Sequence, residues 1–181
     1  MESFKQYVTN NQQGAGIALL PGGFKPPTKG HYNALKYMLT NSRSAIVFIG
    51  KTERDGITAE QSKAIWEVYA KTLGKPVEVR VADVTPVRSV YEYADENLNT
   101  KLSVGAGSKD EDIKRYDYFD KNKEKYPLVE VKKIPIQSGG ISGTLTRRLI
   151  KEDLDEALKY FVPEEVSTEG REMIKLILQG S

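Results

Sequence analysis

The sequence predicts an α/β fold in which about five parallel strands form a doubly wound sheet, followed by a helical C-terminal tail. Short apolar runs alternate with longer amphipathic segments from residue 16 to residue 150. Glycine- or proline-rich stretches follow several of the apolar runs, and the chain beyond residue 150 continues with helical patterning. Such alternation is typical of βαβ units, whose strands lie parallel with helices on both faces. In these sheets, ligands bind beyond the carboxyl ends of the strands.

The first half of the chain supplies four clear elements. Residues 16–20 (GIALL) form a short apolar strand, and residues 31–41 place apolar side chains at helical spacing. Residues 44–50 (SAIVFIG) form a second buried strand. The next helix has Thr58 as its N-cap with a glutamine three residues later, and Gly74 at its end. In this helix Trp66 and Tyr69 are expected in the core.

The second half continues the alternation. It is predicted to contain a strand at 77–83, a helix at 89–98, a strand at 101–107, a single charged helix at 110–126, a strand at 128–136, and helices from 142 onward. Tyr116, Tyr118 and Phe119 lie among charged residues, so a surface helix is expected there rather than a base-stacking platform.

Composition excludes several classes of function. The 181 residues include no cysteine, which excludes disulfides and thiol catalysis and fits a cytoplasmic location. A net charge of +2 argues against a dedicated nucleic-acid binder. No apolar run is long enough to span a membrane. We expect a polar lead-in over residues 1–15 and one domain over residues 16–181, with residues 150–181 as its helical tail and a homo-oligomer as an open alternative.

The loop after the first strand, PGGFKPPTKGH at residues 21–31, combines three glycines, three prolines and the chain's only histidine. Gly22 and Gly23 permit close approach of a ligand to the backbone, and the prolines stiffen the turn. His31 lies where the next helix begins, and the free amides of a helix start favour an anion. The spacing matches neither GxxxxGK[ST] nor GxGxxG, so a strand–helix turn with a surface histidine remains an equally good interpretation.

A second glycine-rich stretch, SGGISGTLTRR at residues 138–148, precedes the helical tail. Ser142 is predicted to cap a helix whose first turns carry Thr144 and Arg147. Hydroxyls, free amides and a guanidinium together suit an anion. Helical spacing does not distinguish Arg147 from Arg148, and such a segment alone is more often a simple helix cap. Two such loops in one α/β domain favour a phosphate site.

These two segments carry a family resemblance. GGFKPPTKGH resembles the G-x-F-x-P-x-[HT]-x-G-H signature of the cytidylyltransferase-like nucleotidyltransferases, and ISGTLTR resembles their I-S-[SGT]-T-x-x-R signature. The order and separation also match, over roughly residues 16–165. Thr28 in place of a first histidine, with ITAEQ after the second strand, is similar to phosphopantetheine adenylyltransferases. The SGT-x-x-R spelling is similar to nicotinamide mononucleotide adenylyltransferases. The resemblance implies a Rossmann-like fold.

The same resemblance implies transfer of a nucleotidyl group from a nucleoside triphosphate, ATP favoured over CTP, to a phosphorylated small molecule. Magnesium is expected on the nucleotide, without an identifiable protein ligand, and no nucleic acid or membrane partner is implied. By matching position, catalytic roles fall to His31, Lys51 and Arg147, and nucleotide contacts to Gly22, Gly23, Phe24, Thr28, Gly30, His31, Gly105, Ser142, Thr144 and Arg147.

Three departures leave the acceptor open. Lys25 stands where the family commonly has an aspartate. The basic residue expected after the second strand is either Lys51 or Arg54, unless both are solvated loop charges. GAGSKD at residues 105–110 offers only Lys109 where phosphopantetheine enzymes have an arginine pair. The alternative function is a nucleotide-binding or structural module that retains the phosphate site without turnover.

Overall fold

A computed structural model describes residues 16–107, 110–135 and 140–180. The predicted lead-in over residues 1–15, Lys109 and most of the loop at 136–140 lie outside this part. The strands are β1 (Ile17–Gly22), β2 (Ser44–Ile49), β3 (Val77–Val81), β4 (Leu102–Ala106) and β5 (Val129–Lys133). The helices are α1 (Lys29–Leu39), α2 (Ala59–Ala70), α3 (Pro86–Glu96), α4 (Asp110–Lys114), α5 (Asp117–Lys121), α6 (Gly143–Glu152), α7 (Leu154–Phe161) and α8 (Thr168–Leu178).

The five strands form one fully parallel sheet in the order β3-β2-β1-β4-β5. Strand β1 is central, and its Ile17 pairs with Ser44 of β2 on one side and with Leu102 of β4 on the other. The chain builds outward from β1 to β3, then returns to β4 on the opposite side. The strand order therefore reverses between β1 and β4, where a doubly wound sheet opens a crevice. The predicted Rossmann-like α/β class is confirmed.

Alternating side chains of β1 divide between two cores. Ala18 and Leu20 pack on the face covered by α1 and α2, whereas Ile17 and Leu19 pack on the face covered by α3, α4 and α5. This alternation follows from the two-residue repeat of a strand. Because both faces are covered, β1 is apolar along its whole buried length.

The C-terminal helices belong to the first core. Phe161 of α7 and Ile174 of α8 are fully buried in the same cluster as Trp66 and Tyr69 of α2. The helical tail thus packs on the sheet domain, and Trp66 and Tyr69 lie in the core as predicted. In the described residues, no helix is both long and apolar enough to cross a lipid bilayer.

The predicted start of α2 is confirmed, whereas the helix predicted over residues 110–126 is not. Thr58 caps α2 and forms a reciprocal capping box with Gln61, as the sequence indicates. The single helix predicted over 110–126 is wrong, because the structure has the two short helices α4 and α5. The hydroxyl of Tyr91 donates a hydrogen bond to the Arg115 carbonyl, 2.9 Å away, where the first helix stops. Tyr118 is 51% exposed, whereas Tyr116 and Phe119 are buried, so this segment lies at the surface with one side packed on the sheet domain.

Replacing Ile174 by alanine should test the packing of the tail. Ile174 is fully buried, whereas Leu176 on the same helix is 52% exposed. We expect Ile174→Ala to lower the free energy of unfolding by about 2–5 kcal/mol. The matched control Leu176→Ala should change it by about 0.5 kcal/mol or less. Urea denaturation measures both, and equal effects would contradict the packing described.

Candidate active site

Two adjoining cavities open at the carboxyl edge of the sheet. The β4 cavity, of about 650 Å³, lies between the carboxyl ends of β1 and β4 and the start of α1. The β2 cavity, of about 640 Å³, lies between the loop after β1, the loop after β2 and the start of α6. The two share a wall formed by Gly23, Phe24, His31 and Ile141. These four residues therefore face both cavities.

Phe24 has an unusual backbone conformation at the centre of this wall. Its φ of 52° lies in the left-handed region, which costs a non-glycine residue about 1–2 kcal/mol. Its buried ring compensates, packing edge-on against His31 with centroids 4.9 Å apart and against Trp66 at 5.3 Å. A Cβ at Gly22 would lie only 2.6 Å from this ring. A glycine at position 22 is thus required for Phe24 to fold back over the strand end.

Side chains from other elements hold the backbone of the loop after β1. The hydroxyl of Ser62 donates to the Phe24 carbonyl, and the hydroxyl of Tyr69 donates to the Pro27 carbonyl, 2.8 Å away. Burial raises the pKa of Tyr69, which keeps the phenol protonated as a donor. The prolines cannot satisfy these carbonyls, since they have no N–H. Helix α2 therefore fixes the loop before any ligand binds.

His31 is held in one orientation by the loop. The backbone N–H of Thr28 donates to Nδ1 of His31 at 3.0 Å, so in the neutral ring the proton is on Nε2. Burial lowers the pKa of His31 to about 4, so the imidazole is neutral at physiological pH. His31 lines both cavities. It offers one fixed N–H donor without a positive charge.

Arg147 reaches the β2 cavity from α6 and is buried. Its Nε donates to the Asp55 carboxylate at 2.8 Å and its Nη1 to the Lys25 carbonyl at 3.2 Å. Arg148, by contrast, is 68% exposed and pairs with Glu152 on the outer side of the helix. The structure thus resolves the ambiguity in the spacing: of the two adjacent arginines, Arg147 is the one at the cavity.

Asp55 lies in a two-residue turn with Gly56. Both residues have positive φ, 50° and 84°, and Arg54 and Ile57 exchange two backbone hydrogen bonds across them. An Asp-Gly pair is the usual sequence of such a turn. Asp55 lines neither cavity, although its neighbour Arg54 lines the β2 cavity, and its carboxylate pairs with Nε of Arg147. Nη2 of Arg147 also donates to the Thr144 hydroxyl, 3.5 Å away, so one N–H on each of Nη1 and Nη2 has no partner within the part of the chain that the structure describes.

The other predicted residues divide into two groups. Those that line a cavity are Gly22, Gly23, Phe24, Thr28, Gly30 and Gly105. Those that line neither cavity are Lys51, Ser142 and Thr144. Ser142 is the N-cap of α6, as expected, with its Oγ accepting from the Leu145 N–H, while its neighbours Ile141 and Gly143 do reach the cavities. Lys51 is exposed.

Sequence reasoning missed several residues of the site. Lys25 was noted only as a departure, yet it is buried at the β2 cavity. The Asp-Gly pair at residues 55–56 predicts a turn, but no local pattern indicates that Asp55 pairs with Arg147, which is distant in sequence. Asp112 and Arg115 line the β4 cavity together with the buried Tyr116. The acidic run at residues 110–112 is readable as a metal-like cluster or, preferably, as helix-start charges, and neither interpretation indicates a cavity.

The architecture is that of a Rossmann-like α/β domain with a cavity at the strand-order reversal and C-terminal helices on one face. It is shared with a solved structure, the Plasmodium falciparum nicotinic acid mononucleotide adenylyltransferase complexed with APC. The two chains are 17% identical with a TM-score of 0.57, over 87% of this chain and 93% of the other. At this identity the likeness establishes the fold. No protein-family model matches the sequence, and no curated protein matches it significantly.

The sole histidine makes its protonation directly measurable. We expect a single pair of imidazole C–H resonances in the NMR spectrum, titrating together with a pKa of about 4 in place of the ordinary 6.5. The unfolded chain binds this proton more tightly than the folded chain. The contribution of His31 to the free energy of unfolding is therefore fully present above pH 6.5 and is lost as the pH drops towards 4, by up to about 3 kcal/mol. In His31→Asn, the free energy of unfolding, measured by urea denaturation at a series of pH values, should not show this fall between pH 6.5 and 4. A midpoint near 6.5 would show a solvated ring.

Proposed function

We propose that this chain is a nucleotidyltransferase that transfers AMP, in preference to CMP, from a nucleoside triphosphate to the phosphate of a small molecule, releasing pyrophosphate. One observation carries the proposal. His31 and Arg147, which belong to two signature-like segments distant in sequence, line the same cavity at the carboxyl edge of the sheet. The preference for AMP is supported by the fold neighbour, which is an adenylyltransferase.

The two cavities suit two substrates. The β4 cavity lies at the strand-order reversal, where nucleotides bind in doubly wound folds, and we assign it to the nucleoside. The β2 cavity, which Arg147 lines, then takes the β- and γ-phosphates of the nucleotide together with the phosphate of the acceptor. The two molecules meet at the shared wall, with the α-phosphate beside His31. Proximity of this kind is the main demand of phosphoryl transfer, which needs little proton chemistry from the protein.

In this reaction an oxygen of the acceptor phosphate attacks the α-phosphorus and forms a new P–O bond. The bond from the α-phosphorus to the α–β bridging oxygen breaks, and pyrophosphate leaves with the electron pair. His31 donates its Nε2 proton as a hydrogen bond to an α-phosphate oxygen, whose charge grows in the transition state. The free N–H groups of Arg147 and the first amides of α1 bind the departing phosphates.

Magnesium enters as part of the nucleotide in this scheme. Within residues 16–107, 110–135 and 140–180, no cluster of three or more acidic or histidine side chains could hold the ion. The phosphates themselves would supply its oxygen ligands, and the ion would neutralise part of their charge. The chain contributes the neutral donor of His31 and the positive charge of Arg147.

A panel assay should detect the reaction and the role of His31. We expect pyrophosphate release from MgATP, and less from MgCTP, with at least one phosphorylated acceptor, nicotinic acid mononucleotide among those tested. His31→Ala should lower the rate by about 10²- to 10³-fold. ATP affinity in calorimetry should change much less, because binding is spread over several groups. If ATP binds but no acceptor supports release, the chain is a nucleotide-binding module.

The two adjacent arginines provide a matched pair of variants. Arg147→Gln should weaken ATP binding by about 10- to 100-fold, as expected for losing charged hydrogen bonds. Arg148→Gln removes the same charge from an exposed position and should stay within twofold of the parent. Calorimetric titration measures both affinities, and thermal unfolding reports whether loss of the Asp55 pair destabilises the fold. Equal affinities for the two variants would remove Arg147 from the nucleotide site.

A further inference from the structure

Lys25 is a buried cation with an unusual set of partners. The residue is 6% exposed, and its Nζ donates to the carbonyl oxygens of Gly23 and Gly50, each 2.6 Å away. Among the described residues, no carboxylate lies within 4.0 Å of this ammonium. Burial without a counter-ion lowers the pKa of Lys25. A buried charge of this kind is costly unless a further partner compensates it.

The position of Lys25 indicates what that partner is. Gly23 and Gly50 follow β1 and β2 directly, so their carbonyls lie at the carboxyl edge, where backbone oxygens would repel an anion. The ammonium donates to both oxygens and places a positive charge at this point. Gly23, Lys25 and Gly50 all line the β2 cavity. An ammonium has three N–H donors, and two are used, which leaves one for a ligand in this cavity.

The two alternative cations are less well placed. Lys51 is exposed and lines neither cavity. Arg54 lines the β2 cavity but is exposed on the turn that carries Asp55. Lys25 is adjacent in sequence to Phe24, which forms part of the wall shared with His31. Of the three, it alone is buried and held in place by two backbone atoms.

We propose that Lys25 binds the phosphate of the acceptor, a phosphomonoester dianion, and holds its attacking oxygen against the shared wall beside His31. This inference rests on the proposed function. Lys25, rather than Lys51 or Arg54, is then the acceptor-side cation. It forms no covalent bond, and its ammonium keeps its proton throughout. In this proposal, Lys25 in the loop after β1 takes the role that the sequence predicts for a basic residue after the second strand.

Inorganic phosphate serves as the probe, because the acceptor is unidentified. We expect Lys25→Gln, which keeps an N–H donor for the carbonyls but removes the charge, to weaken phosphate binding by about tenfold or more. Lys25→Arg keeps the charge and should remain within about threefold of the parent. Lys71→Gln, at an exposed site on the end of α2, is the matched control for net charge. Amide shifts in NMR titrations give the affinities.

A second measurement needs no destabilising variant. The Cε resonance of Lys25, assigned by its loss in Lys25→Arg, should shift on addition of phosphate to the parent protein. An unmoved resonance overturns the proposal, as does Lys51→Gln losing phosphate affinity while Lys25→Gln keeps it.

The proposed function can fail separately. If no acceptor gives pyrophosphate but Lys25→Gln still loses phosphate, the anion site stands and the transfer reaction does not. If turnover occurs and Lys25→Gln leaves both phosphate affinity and the KM for the acceptor unchanged, the reaction stands and the role of Lys25 is wrong. Adenosine affinity should be equal in all variants, because the β4 cavity does not include position 25.

Discussion

The site depends on hydrogen bonds to the backbone carbonyls of the loop after β1. Prolines, together with a left-handed Phe24, prevent this loop from forming regular hydrogen bonds of its own. Donors therefore come from elsewhere: hydroxyls of Ser62 and Tyr69 on α2, and the guanidinium of Arg147 on α6. The loop orients His31 in turn through the Thr28 amide. Helices α2 and α6 thus position the imidazole of His31 indirectly, by holding the loop that orients it.

The charge balance of the site follows from the same arrangement. Asp55 offsets Arg147, and the ring of His31 is neutral, so neither requires a ligand for its own stability. Lys25 differs, because its ammonium donates to two carbonyl oxygens and pairs with no carboxylate of the described residues. A site organised in this way already has its dipoles aligned when an anion arrives, and little reorganisation is needed during reaction. The free energy needed to bury Lys25 and to align these dipoles is supplied by folding of the protein, not by binding of the substrate.

Features governed by local rules were predictable from the sequence. Strand–helix alternation predicts the parallel sheet, the Thr58 capping box predicts the start of α2, and the signature-like segments lead to His31 and Arg147. Features that depend on distant partners were not. At the break after α4, the Arg115 carbonyl accepts a hydrogen bond from Tyr91, which is distant in sequence. The burial of Lys25 depends on a carbonyl from another strand end, which no spacing within the first loop can indicate.

The Asp-Gly turn after β2 has a consequence for how such a chain can diverge. Exposed turns are usually the places where proteins accept insertions and deletions. Here the turn is exposed, but its two-residue length sets the reach of Asp55 to Arg147. One added residue would move the carboxylate away and leave a buried guanidinium without its counter-ion. Length variation in this surface loop is therefore coupled to the identity of a residue in α6, and the two must change together.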